Sequence, residues 1–393
     1  MEMAGTARRE PAATSPQMAF GVLAWAHFLN DAYVNYVPAL LPVLMLTHHF
    51  PVALAGTLVL ALQGVTAMFQ PLVGLWADRL GGRLFPWVGL GLAAVGASAV
   101  GLAPSYLALL AVLLLTGIGN TLFHPQALAA ASALTRRRRG LGTSAFLVAG
   151  ELGRGLGPLI MSALVAWRGL GALTLALVPA LVTLPILART TPVQARSPAV
   201  GDGPSPFAGK GGRTALLVAY AGLRATGSFG LLTFVPIFWK GRGGSLVGGA
   251  SLLSVLLVVG IVGNLAGGWL ADRAGRRALL SGSAILSAIL LAAFIGAHGL
   301  WSWVTMGATG IALFSTMPVT MLVSHDLFPT HRSMASGLAI GSGNAAGALA
   351  AFALGPVAAA WGVHAALWAV VAALLLAAPV ARFLPAGGSQ RAS

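Results

Sequence analysis

The chain has 393 residues, 57% of them hydrophobic and 8% charged, whereas a water-soluble domain carries about 25% charged residues. That excludes a soluble enzyme. The formal charge is +15, from 23 Lys and Arg against 8 Asp and Glu, with no cysteine. The basic residues stand singly or in short runs between apolar segments and form no contiguous basic face, so nucleic acid is not the expected partner. Disulfides and thiol chemistry are impossible.

Taken in chain order, the apolar runs predict helices near residues 18–46, 53–77, 84–103, 106–134, 140–167 and 170–188. A second set follows near 213–239, 246–271, 277–297, 300–326, 333–361 and 364–384. Each is a continuous run of about 20 residues or more, the length of a membrane-spanning helix, and lacks the alternation over about ten residues of a barrel strand. The expected fold class is therefore an all-α membrane protein with twelve transmembrane helices in two pseudo-symmetric six-helix bundles. Residues 1–17 read as an uncleaved tail, 18–188 as the first bundle, 189–212 as a Pro- and Gly-rich linker, 213–384 as the second bundle and 385–393 as a second tail. If the amino terminus is cytoplasmic, 18 of the 23 basic residues fall on that side. The positive-inside bias then puts both termini in the cytoplasm, with the lipid bilayer as the protein's surroundings.

The halves repeat. Gly74-Leu-Trp-Ala-Asp78-Arg79-Leu-Gly81-Gly-Arg83 recurs 194 residues on as Gly268-Trp-Leu-Ala-Asp272-Arg273-Ala-Gly275-Arg-Arg277, each at the end of the second helix of its half. Pro125 likewise corresponds to Pro318 and Arg139 to Arg332. A duplicated six-helix unit with its site between the halves, near mid-membrane, is a transporter architecture.

On these motifs the chain resembles the major facilitator superfamily of secondary transporters, whose loop signature follows the second and eighth helices. Within it, His27-Phe-Leu-Asn30-Asp31, Gln70-Pro71, Phe123-His124-Pro125 and Arg139-Gly140-Leu are similar to the fosmidomycin-resistance type of efflux protein. The chain departs from that type at Gln126, where the type carries Glu, and at Glu151 and Arg154, where it carries small or amide residues. The resemblance implies alternating access; with no reactive Ser, His and Asp cluster at one membrane face, no enzymatic activity and no cofactor are expected, and the lack of cysteine and the short loops suit a bacterial inner membrane. The resemblance also implies proton-coupled efflux (antiport) of a small drug-like molecule or metabolite by a functional monomer; proton-coupled uptake of a small organic anion stays open. No phosphate-cradling G-x-x-x-x-G-K-[ST] loop is present, so the expected energy source is the proton gradient.

Asp78 and Asp272 are expected to face helix starts near Arg332–Ser336 and Arg139–Thr143 when the halves close on the cytoplasmic side, as conformational switches. Glycine pairs four apart, Gly153 with Gly157 and Gly263 with Gly267, suggest a sliding interface between the halves.

Charges inside spans are costly and mark function. His27, Asp31 and Asn35 share one helix face, as do Asn120 and His124. Asp31 is the expected proton-coupling residue, with His27, His124 and Glu151; a hydrogen-bonded structural acid and satisfied core histidines are the alternatives. Glu151 and Arg154, three apart, can pair. Arg224 stands alone in the opposite half and suits an anionic group. Arg154, Asn30, Tyr33, Gln63 and Asn264 complete the expected substrate contacts. His48-His49 has no carboxylate or cysteine beside it, and no metal site is expected.

Overall fold

A computed structural model describes residues 15–80, 84–135, 139–192, 209–329 and 332–385. The first crossing is broken: α1 (Pro16–Asn35) and α2 (Val37–His48) meet at Tyr36, with Pro38 in the first turn of α2. A proline there lacks only an amide that the break leaves unpaired, so the kink falls just past the expected His27–Asp31–Asn35 face. The amino-terminal half continues with α3 (Ala55–Leu80), α4 (Leu84–Ala99), α5 (Tyr106–Leu134), α6 (Arg139–Arg168) and α7 (Leu177–Thr190). The other half comprises α8 (Gly211–Gly241), α9 (Leu246–Ala274), α10 (Arg276–Gly296), α11 (Leu300–Phe314), α12 (Met317–Leu327) and α13 (Arg332–Phe383).

Ten stretches among the described residues are long and apolar enough to cross a membrane. The last, Leu338–Phe383, is 46 residues long and turns at Gly362, whose φ of 84° suits a residue without a Cβ, so it supplies two crossings. The broken pair α1–α2 adds one more, making twelve. Five of the seven exposed tryptophans among the described residues mark two levels, while Trp25 and Trp368 lie within crossings. Trp167, Trp301 and Trp361 lie at the face away from the termini, and Trp76 and Trp269 at the face of the termini, where amphipathic rings suit the two membrane–water interfaces.

Each half has its own core. Leu40, Leu44, Phe123 and Phe146 belong to that of the first, and Phe234, Phe294, Leu313 and Val370 to that of the second. The halves join most tightly at the face away from the termini. A Cβ on Gly56 would lie 2.2 Å from the Ala351 carbonyl oxygen, and one on Gly355 would lie 2.3 Å from that of Ala53, so backbone meets backbone there. Val59 packs in one cluster with Ala225, Phe229, Ala348 and Ala351, extending the seam toward mid-membrane.

The glycine pairs serve another purpose than the expected sliding interface. Gly153 and Gly157 abut Phe28 and Ala32 of α1, and Gly263 and Gly267 abut Ile311 and Ser315, all within one half. They bring neighbouring helices of a bundle close together. In the fifth crossing it is Gly155, between them, that meets Val258 of α9 across the halves. The i, i+4 period puts a pair on one face but does not say which neighbour that face meets.

Candidate functional site

The unbroken length of α1 before Tyr36 carries the site's first three groups. His27 and Asp31 are one turn apart, and Asn30 lies on the adjoining face toward α5. The His27 ring is pinned on two sides. It stacks on Phe146 with centroids 4.1 Å apart, and its Nδ1 lies 2.8 Å from the Phe146 carbonyl oxygen. Only Gly150 leaves room for it, since a Cβ there would come within 2.3 Å of the ring. His124 comes from α5, its Nδ1 3.1 Å from the Asn120 carbonyl oxygen one turn earlier.

A carbonyl oxygen only accepts, so both Nδ1 atoms donate, and in the neutral rings both Nε2 atoms present lone pairs. Those lone pairs converge. The two Nε2 atoms are 3.3 Å apart; Asp31 Oδ1 is 3.3 Å from that of His124, and Asp31 Oδ2 is 3.7 Å from that of His27. Three acceptor groups at such spacing repel one another unless a positive species sits among them. The acid is held from behind. Asn30 Nδ2 donates to Asp31 Oδ1 at 3.2 Å and to Asn120 Oδ1 at 2.7 Å, and Asn120 Nδ2 donates to Thr66 Oγ1 at 3.1 Å. Asp31 and His124 are partly open, at 16% and 27% side-chain exposure.

Around this cluster the other expected residues take different places. Glu151 and Arg154 lie 3.8 Å apart, and the Arg154 guanidinium stands 5.7 Å from the Phe314 ring centre, reaching from the first half to the second. Arg224 is 9% exposed on α8, with no ion pair among the described residues and no hydrogen-bond partner for its Nε. It lines a small cleft with Met317, Thr320, Ala339 and Asn344. Gln63 donates to Asn35 Oδ1 at 3.5 Å, and Asn264 is half-buried on α9.

Two expected substrate contacts are otherwise engaged. Tyr33 is buried inside the first bundle with its hydroxyl donating to the Ala176 carbonyl at 2.6 Å, and Asn30, fully buried, is the tie between Asp31 and Asn120. The i, i+4 count put His27 and Asp31 together and His124 beside Asn120; the carbonyls that orient the rings carry no signal in the sequence, and neither did the space above Gly150.

The loop signature is described only in its second copy. Gly74, Asp78 and Arg79 lie on α3, but their side chains, together with Gly81, Arg83, the linker core at 193–208 and the side chains of Arg139 and Arg332, are outside the described residues. Asp272 is exposed at the end of α9, Arg273 covers Trp269 with its guanidinium carbon 3.9 Å from the ring centre, and Gly275 turns the chain with φ 84°. Arg276 pairs with Asp326, and Arg277 donates to the Leu384 carbonyl at 2.6 Å, tying α10 to its neighbours at the face of the termini.

Comparison with known proteins follows the same outline. The sequence model of the Major Facilitator Superfamily matches residues 23–270 and 243–392. An MFS-type transporter of Bacillus subtilis, YfnC, is 27% identical over 365 residues, 87% of each chain. The fosmidomycin resistance protein of Escherichia coli is 26% identical over 362 residues, 88% of each chain. Among solved structures, a bacterial homolog of the human lysosomal transporter Spinster in an inward-facing conformation superposes with a TM-score of 0.75 at 18% identity, over 95% of this chain and 97% of that one.

Proposed function

Because the chain belongs to the major facilitator superfamily, we propose that it is a proton-coupled secondary transporter that exports a small molecule bearing an anionic group. The observation that carries this reading is the convergence of His27 Nε2, His124 Nε2 and the Asp31 carboxylate within 3.7 Å of one another. A proton placed among these three acceptors relieves their repulsion, and its loss restores it, so occupancy by a proton changes the energy of the α1–α5 contact. That is the differential interaction a coupling ion must have with two conformations. Asn30 and Asn120 hold the acid in place while the charge changes.

The cargo is read from the opposite half. Arg224 is a buried cation without an ion-pair partner among the described residues, and Arg154 reaches toward the same gap with only Glu151 beside it. A carboxylate, phosphate or phosphonate would complete Arg224 through its planar fork. Thr320 and Asn344, which line the same cleft, offer neutral hydrogen bonds to the rest of the molecule. Export is favoured over uptake by the similarity to a protein named for fosmidomycin resistance. The second reading, uptake of an organic anion, uses the same groups.

Cytoplasmic termini and a bacterial inner membrane are part of the proposal, supported by the basic residues on one side. The switch role of Asp78 and Asp272 in closing the cytoplasmic side also belongs here, supported by the duplication of the motif. The test is accumulation of labelled anionic compounds in expressing cells and in inverted vesicles. Expected are lower accumulation in cells, uptake into acidified vesicles, and loss of both on collapsing the gradient. Higher accumulation in cells that falls on collapse selects the uptake reading, and indifference to the gradient defeats both.

A further inference from the structure

We infer that His27, His124 and Asp31 form a binding site for a divalent transition-metal ion of the zinc or cobalt class. Nitrogen and oxygen ligands around such an ion lie about 2.0–2.2 Å from it, which in a tetrahedron puts them about 3.3 Å from one another. The two ring nitrogens are 3.3 Å apart and Asp31 turns one oxygen to each ring, Oδ1 at 3.3 Å from His124 and Oδ2 at 3.7 Å from His27; one donor atom from each residue lies within 4.8 Å of the others, so small side-chain movements bring all three onto one ion.

The surroundings of the donors also suit a metal. A ligating histidine presents one ring nitrogen to the ion and donates from the other to a carbonyl or carboxylate, which fixes its tautomer. Both rings do this, through the carbonyls of Phe146 and Asn120 at 2.8 and 3.1 Å. The carboxylate is steadied by Asn30, at 3.2 Å. A fourth position is reachable because Asp31 and His124 are partly open, so water or a cargo oxygen can complete the shell. With two nitrogens, one carboxylate and no sulfur, the donor set suits zinc, cobalt or nickel and does not suit calcium, magnesium or copper(I). Glu151 pairs with Arg154 at 3.8 Å, so the carboxylate facing the ion is that of Asp31.

The site itself stands on this geometry. Its consequence, that the ion competes with the coupling proton and arrests transport, rests on the proposed function. The two are separable, since binding is measured without a gradient and transport without added metal.

The test uses the full chain in detergent, purified through a histidine-free tag and stripped with chelator. The absence of cysteine removes thiolate competition for the probe. Titration with cobalt(II) is expected to give one ion per chain with the visible ligand-field bands of a four- or five-coordinate site, displaced by zinc. His124→Gln and Asp31→Asn are each expected to weaken binding by about 100-fold or more, at or beyond the upper end of the roughly 10–100-fold typical of outer-shell losses. Replacing His48 and His49 by Asn is expected to change nothing. Zinc should also raise the thermal midpoint of the wild-type chain, a readout that does not depend on any variant folding. Wild-type protein that binds no cobalt and shows no zinc-dependent midpoint, or stoichiometric binding retained in His124→Gln, overturns the site.

Discussion

One glycine-sized space, one acid and one buried cation govern the site at the residue scale. Alanine at position 150 would ordinarily strengthen a helix, by about 1 kcal/mol relative to glycine. Here its Cβ meets the His27 ring at 2.3 Å, and that ring is held by the Phe146 stack and carbonyl. Overpacking of this kind costs about 1–3 kcal/mol. Gly150→Ala is therefore expected to lower the thermal midpoint and to cut proton-driven transport at least tenfold by turning His27 away from His124; unchanged transport would separate the ring from the mechanism. Asp31→Asn is expected to abolish transport driven by the gradient while preserving exchange of labelled for unlabelled cargo, since exchange needs no net proton movement. Loss of both activities would mean that Asp31 supports the fold or the cargo instead.

Arg224 gives the opposite pairing of stability and activity. A charge inside a span costs at least about 2.5–3.5 kcal/mol on insertion scales, and this one has no ion-pair partner among the described residues. Replacing a buried charge by an apolar side chain of similar volume is often neutral or stabilising. Arg224→Met is expected to raise the thermal midpoint and to weaken binding of anionic cargo by at least tenfold, while Arg224→Lys keeps the charge and loses the bidentate fork. A variant that binds anionic cargo as the wild type does would move the anion site elsewhere.

At the scale of elements, the seam at the face away from the termini is built from backbone contacts. Gly56 on α3 lies against Ala351, and Gly355 on α13 lies against Ala53. Nothing larger fits while the halves are closed there, so those contacts must part for alternating access. The chain has no cysteine, which makes a crosslinking test clean. The pair Val59→Cys and Ala351→Cys, whose native side chains pack in one cluster across the seam, is expected to crosslink with a short bifunctional reagent and to stop transport until the link is cleaved. Transport that continues in the crosslinked protein would show that this seam does not open. Gly56→Leu is expected to prop the seam apart and favour the opposite conformation. The glycines of α6 divide this labour by register. Gly153 and Gly157 hold α1 close, which sets His27 and Asp31 in place, and Gly155, rotated away, touches α9 of the other half.

For the whole molecule, the apolar helices and the five exposed tryptophans at their two ends describe a bundle that spans a bilayer, and the basic residues on one side support the proposed cytoplasmic termini. Fluorescent fusions at either terminus are expected to be quenched only by reagents on the cytoplasmic side. The twelve crossings, their duplication and the superfamily were legible in the sequence because each follows from continuous apolar length or from a motif repeated at one offset. So were His27, Asp31 and His124 as separate groups, because a charge or an imidazole in hydrocarbon is rare enough to stand out. Tyr33 and Asn30 read in the sequence as cargo contacts because a polar side chain in a span looks the same whether it faces a cavity or ties two helices together; in the fold both are buried and hydrogen-bonded within the first half. The metal geometry was invisible, since the only adjacent histidines, His48 and His49, are neighbours along the chain and not in a site.

What the sequence determined by itself is everything that depends on periodicity and on the cost of burying backbone and charge in lipid: helices, their number and which residues had to have a reason to be there. Only the tertiary structure decided that α1 and α5 approach closely enough for two imidazoles and a carboxylate to share one space, and that α6 presents one face of glycines to its own bundle and another glycine to the other half. The reason is that a helix repeats every 3.6 residues whatever lies beside it. Which neighbour each face meets is settled by packing among twelve helices at once, and no single segment carries that information.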